Sequence, residues 1–161
     1  MSELTELLER FRRGPELLAS LMTGAAGPEL DFTTAPGKWS VRQIVSHLAD
    51  SEIVASDRFR RAIAEDNPTL LNYDQDAWAK NLNYGRRRTS EAIETMRRLR
   101  TENYDLLKEL PAEAFARTAT HAVRGTVTLR DLVETFAKHV ESHALQIKEI
   151  RAAWKLARQK T

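Results

Sequence analysis

Four long stretches of this chain repeat their apolar residues at helical spacing, and each is bounded by a start or stop signal. Val41, Ile44, Leu48, Ala55, Phe59 and Ile63 form one such stripe. Ser40-x-x-Gln43 precedes it as a capping box, and Asn67-Pro68 ends it; a Ser side chain and a Gln side chain there satisfy each other's free backbone N–H. Ile93, Met96, Leu99, Tyr104 and Leu107 form a second stripe, over about Ser90 to Leu110, stopped by Pro111. Leu132, Phe136, Val140, Ile147 and Ile150 form a third, opened by Thr128-x-x-Asp131 and running to about Leu156. The first segment carries Leu4, Leu7, Leu8 and Phe11, then Leu17, Leu18, Leu21 and Met22 after Gly14-Pro15. That interruption predicts a broken first helix ending near Gly24, because proline fits a first turn and not an interior one. Four helical units predict an all-α four-helix bundle, formed as a single domain over 1–161. Residues 67–84 form a long loop around a short turn, DQDAWAKN, and a loop of that length often covers a site. Residues 111–127 are expected to be irregular, with a turn at Gly125 and no strand pair.

Composition narrows the function classes. Cysteine is absent from the 161 residues, which excludes disulfides, thiolate nucleophiles and metal ligation by cysteine sulfur. No apolar run approaches the ~18 residues of a membrane span, and MSELTELLERFRR has no apolar signal core. The expected compartment is the cytoplasm, without membrane contact. The net charge of +2 is too small to argue for nucleic acid. The arginines at 86–88, 97, 98 and 100 alternate with Glu91, Glu94 and Glu102, as on a solvated helix face.

His139 and His143 are two of only four histidines. Four residues apart on a helix, they share one face, and that face also carries Leu132, Phe136 and Ile147. They therefore look inward. The pair alone fits either metal ligation or hydrogen-bonded polar residues, since buried imidazoles without partners are costly. Val140 stands where a zincin motif has its glutamate, so that chemistry is not expected. His47, beside the apolar stripe of the second long helix, can approach the pair across the bundle. Three histidines resemble a catalytic zinc site with an open position rather than a closed structural one. His121, in the irregular THAVRG, is the competing third ligand and reads more simply as a loop histidine. Asp50 and Glu52 follow His47 closely and are candidates to orient a ligand or move a proton, set against plain helix solvation. Arg58, about three turns beyond His47, can receive a carboxylate. Tyr73, Trp78 and Tyr84 offer aromatic surface on the loop, as substrate contacts or as packing; Trp39 reads as a core anchor. Lys138 and Glu141 are expected at solvent.

GKWSVRQIVSHLADSE at 37–52, RFRRAIAEDNPTLLNYDQDAWA at 58–79 and GTVTLRDLVETFAKHVESHALQI at 125–147 together resemble the DinB/YfiT-like superfamily. The likeness is to its YfiT branch, which holds bacillithiol S-transferases and proteins named as metal-dependent hydrolases. The resemblance implies a four-helix bundle, often a homodimer, with one divalent metal ion held by three histidines. The family's ligand positions fall on His47, His139 and His143, all filled here; Lys138 departs from the aromatic or small residue common before the second ligand. The implied activity is transfer of a low-molecular-weight thiol to an electrophilic small molecule, on zinc or nickel. Hydrolysis by metal-bound water, or a non-enzymatic metal-binding stress-response role, are the alternatives.

Overall fold

The computed structural model describes residues 2–159. The first unit is two helices, α1 (Glu3–Arg12) and α2 (Gly14–Met22), hinged at Arg13. The other three are α3 (Val41–Ala64), α5 (Thr89–Lys108) and α6 (Leu129–Arg158). A short α4 (Gln75–Asn81), capped by the Asp74 side chain, sits in the loop between α3 and α5. α3 packs on α5 and α6, and α1 and α2 close the bundle against the same two helices. Both predicted capping boxes are present, Ser40 with Gln43 and Thr128 with Asp131. They start the two helices that carry the candidate ligands. No helix among the described residues is long and apolar enough to cross a membrane.

The break in the first unit has a specific consequence. Pro15 has no N–H to give the Phe11 carbonyl four residues back. Arg100 Nη1 donates to that carbonyl instead, at 2.7 Å. Gly14 leaves room for it, since a Cβ there would stand 3.1 Å from Arg100 Nη1.

The expectation that fails is the absence of strands. β1 (Thr69–Leu70), β2 (Thr118–His121) and β3 (Gly125–Thr128) form one small sheet in the order β1-β2-β3. β1 runs parallel to β2, pairing Thr69 with Thr120, and β2 runs antiparallel to β3. Ala119, His121 and Val127 point inward and threonines alternate with them. Four residues or fewer per strand are too short for alternation to stand out in sequence. The predicted turn is there: Gly125 has φ 74°, a conformation glycine adopts without Cβ strain.

The core has two apolar clusters. One gathers Phe11, Phe59, Phe136 and Leu107; Phe59 meets Phe11 and Phe136 edge-on at ring centroids of 5.5 and 5.6 Å. The other gathers Leu18, Ile44, Met96 and Ile147. Along α3 the first begins at Ala55 and the second ends at Ala49; along α6 they divide between Ala137 and Val140. Asp50, Ser51, Glu52 and His139 occupy that division, and His47 and His143 border it on the side of the second cluster.

Candidate metal centre

His47 comes from α3, and His139 and His143 from successive turns of α6. His47 Nε2 lies 2.9 Å from His139 Nε2, and His143 Nε2 lies 3.1 Å from it. The three ligand atoms all fall within 4.8 Å of one another. His47 is fully buried, and the α6 pair is partly exposed, so the cluster opens on the α6 side.

The residues fit a divalent cation. His143 Nδ1 stands 2.9 Å from Gln146 Oε1, an acceptor only, so Nδ1 carries the proton and Nε2 presents a lone pair. His139 Nδ1 stands 3.2 Å from the Ser51 hydroxyl, which can accept in the same way. Two lone pairs then face each other at 3.1 Å, and a cation between them turns that repulsion into ligation. Nitrogens bound at about 2.0–2.1 Å are about 3.3 Å apart on a tetrahedral ion and about 2.9 Å apart at a right angle, which brackets both spacings to His139 Nε2. The imidazoles are also in the ligating, neutral form. Burial pushes His47 down to about 4 and His139 to about 3, with neighbouring histidines adding to both; burial also lowers His143.

The predicted acids do not stand free beside this cluster. Asp50 accepts from the Tyr84 hydroxyl at 2.7 Å and pairs with Arg87. Its charge still reaches His47, whose pKa it pulls upward against burial. Glu52 accepts from Arg100 through both oxygens and from Asn103 Nδ2 at 3.1 Å. Arg100, grouped in sequence with a solvated basic face, is 1% exposed: the charge pattern around it is amphipathic, and one arginine of the run turns inward to meet Glu52. Arg97 and Arg98 are surface arginines, both paired with Glu94. Lys138 and Glu141 face solvent as expected, paired with Glu134 and Arg10.

His121 is not part of the cluster. It is buried in β2, and its Nδ1 accepts from the backbone N–H groups of Val123 and Arg124, holding the β2–β3 turn. Trp39 packs against the His47 ring at 5.0 Å and against the second core cluster. Tyr73 lies toward Ser51: burial raises its hydroxyl pKa, while Ser51 and Arg58 pull it down. Trp78 packs on Tyr73, ring centroids 4.6 Å apart. A surface depression of about 590 Å³ runs along Asn72, Tyr73, Asp74 and Gln75, so Tyr73 stands between solvent and Ser51. Arg58 donates to the Leu71 carbonyl at 2.8 Å.

Sequence reasoning missed Ser51 and Gln146. A signal existed, since Gln146 is three residues after His143, on its ligand's own face, and Ser51 is four after His47, on the α3 face that meets His139.

A sequence model of the DinB superfamily matches residues 10–147. A protein of Oceanobacillus iheyensis, named as a proposed metal-dependent hydrolase, is 28% identical over 144 residues, covering 89% of this chain and 83% of its own. YfiT of Bacillus subtilis, named in the same way, is 29% identical over 129 residues, 78% of this chain and 72% of its own. The solved structure of Bacillus subtilis YfiT, described as an inferred metal-dependent hydrolase with an unusual four-helix bundle topology, superposes with a TM-score of 0.89. It covers 96% of this chain and 90% of that one at 24% identity, and so shares the fold.

Proposed function

The chain belongs to the DinB superfamily, and from that premise we propose that it is a metal-dependent enzyme that transfers a low-molecular-weight thiol to an electrophilic small molecule. His47, His139 and His143 hold the ion. A divalent ion on three neutral imidazoles keeps a position for a small molecule and lowers the pKa of a thiol or water there. Ser51 and Gln146 fix the imidazole tautomers. Asp50, held by Tyr84 and Arg87, places a negative charge near His47. Tyr73 and Trp78 line the approach.

What carries thiol transfer over hydrolysis is the state of the two carboxylates. A thiol has an ordinary pKa near 8.5, and a metal can bring it to the thiolate without further help. Attack by water gains from a carboxylate general base within reach. Here Asp50 is held by Tyr84 and Arg87, and Glu52 by Arg100 and Asn103, so neither is free for that work. Hydrolysis is the second reading, favoured by the names of the relatives. Zinc or nickel suits the imidazole donors. Homodimer formation belongs to the same reading.

The test is metal analysis of protein purified without a histidine tag, then conjugation assays pairing several cellular thiols with a bimane electrophile. Metal-dependent conjugation that His139→Ala abolishes is the expected result. Ester or amide hydrolysis without conjugation selects the second reading. A chelated protein that rebinds neither zinc nor nickel overturns both.

A further inference from the structure

Two arginines are buried in this bundle and they are partnered very differently. Arg100 has Glu52, two backbone carbonyls and the face of the Phe11 ring, 3.9 Å away. Arg58 is 8% exposed and has one hydrogen bond, to the Leu71 carbonyl. Its Nε is buried with no partner. Among the described residues no carboxylate forms an ion pair with it; Asp57, its chain neighbour, pairs with Arg61. Burying a cation without its counter-charge is costly. Burial lowers the Arg58 pKa; Arg124 repels it as a like charge, while Tyr73 and Asp57 only partly offset the loss.

The location ties this arginine to the candidate metal centre. Arg58 is eleven residues after His47, about three turns along the same side of α3, and helical side chains lean back toward the N-terminus. Tyr73 lies between the two, facing Ser51 on one side and Arg58 on the other. Arg124, at the β2–β3 turn, donates to Thr135 Oγ1 at 2.9 Å, one turn before His139 on α6. Arg124 also faces Asp131, which leaves Arg58 as the principal unmet cation.

We propose that Arg58, with Arg124 at the rim, is the subsite for a carboxylate on the small molecule whose reacting end sits at the three histidines. A planar carboxylate matches the free Nε and an Nη of one guanidinium. It takes the place of the Leu71 carbonyl, so the Leu71–Tyr73 segment moves outward on binding; the Leu71 side chain is 75% exposed and anchors nothing. The substrate class is thus a thiol or electrophile bearing a carboxylate. This inference rests on the proposed small-molecule chemistry at the histidines, but its test does not.

Calorimetric titration of the metal-loaded full chain with succinate and with its neutral diamide separates the possibilities. Wild type binds succinate and not the diamide; Arg58→Met loses about 10–100-fold in succinate affinity, the range for a hydrogen bond to a charged group, with metal affinity unchanged. Arg124→Gln, at an exposed turn, is the variant to use if Arg58→Met does not fold, and loses roughly two- to fivefold. Arg58→Met melts at or above the wild-type temperature, because it removes an unpaired buried charge. Equal binding of succinate and diamide, or unchanged binding in the variants, overturns the subsite. Succinate binding that depends on Arg58 in a protein that takes up no metal supports the subsite and removes the metal reading instead.

Discussion

Arg100 grips Glu52 through both carboxylate oxygens, Nε to Oε1 at 2.9 Å and Nη2 to Oε2 at 2.6 Å, with each side chain 1% exposed. The pair spans α3 and α5 beside the histidines, and it takes up the Phe11 carbonyl that Pro15 leaves open. Removing one partner strands the other charge in the interior. Arg100→Met and Glu52→Gln are each expected to cost about 3–5 kcal/mol, read from denaturant unfolding. The double replacement Arg100→Met with Glu52→Gln should cost less than the sum of the singles. Strict additivity would mean the two do not act as a pair.

Ser51 and Gln146 orient His139 and His143. Ser51→Ala and Gln146→Leu are expected to weaken metal binding about 10–100-fold, measured by competition with a chelator of known affinity. His139→Ala should lose binding altogether. An affinity unchanged in both orienting variants would show that the ring positions are set by packing alone.

The histidine pKa values set the acid limit of the metal-free chain. An unfolded histidine takes its proton near 6.5, whereas burial holds folded His47 at about 4 and His139 at about 3. Both folded values are depressed. Between about pH 6.5 and 4 the unfolded chain therefore binds more protons, so stability is full above about 6.5 and falls as the pH drops toward 4 and 3. Urea midpoints of chelated protein from pH 7 to 4 should trace that fall, with a shallower slope in His139→Leu. A midpoint flat across the window would contradict it.

Thr128 caps the helix that supplies two of the three histidines, its hydroxyl accepting from the Asp131 N–H at 3.1 Å while Asp131 returns the contact at 2.8 Å. Thr128→Ala is expected to cost about 1 kcal/mol without changing metal affinity. The site lies more than two turns further along α6, beyond the fraying end.

Much of this arrangement was legible in one dimension. Helical period and caps located α3, α5 and α6, and Gly14-Pro15 located the break. The same period put His139 and His143 on one inward face, because residues four apart on a helix must share a side. Those are local consequences of backbone geometry, and no tertiary information is needed to reach them. The sheet was hidden because β1 and β2 are some fifty residues apart in sequence and only a few residues long, so their pairing leaves no period to read. The placing of His47 rather than His121 beside the α6 pair, Arg100 turned inward from a basic run, and the binding of both acids by arginines were decided by which helices lie side by side. Burial then supplied what sequence could not, since the neutrality of the imidazoles and the unmet charge of Arg58 arise only when water is excluded around them.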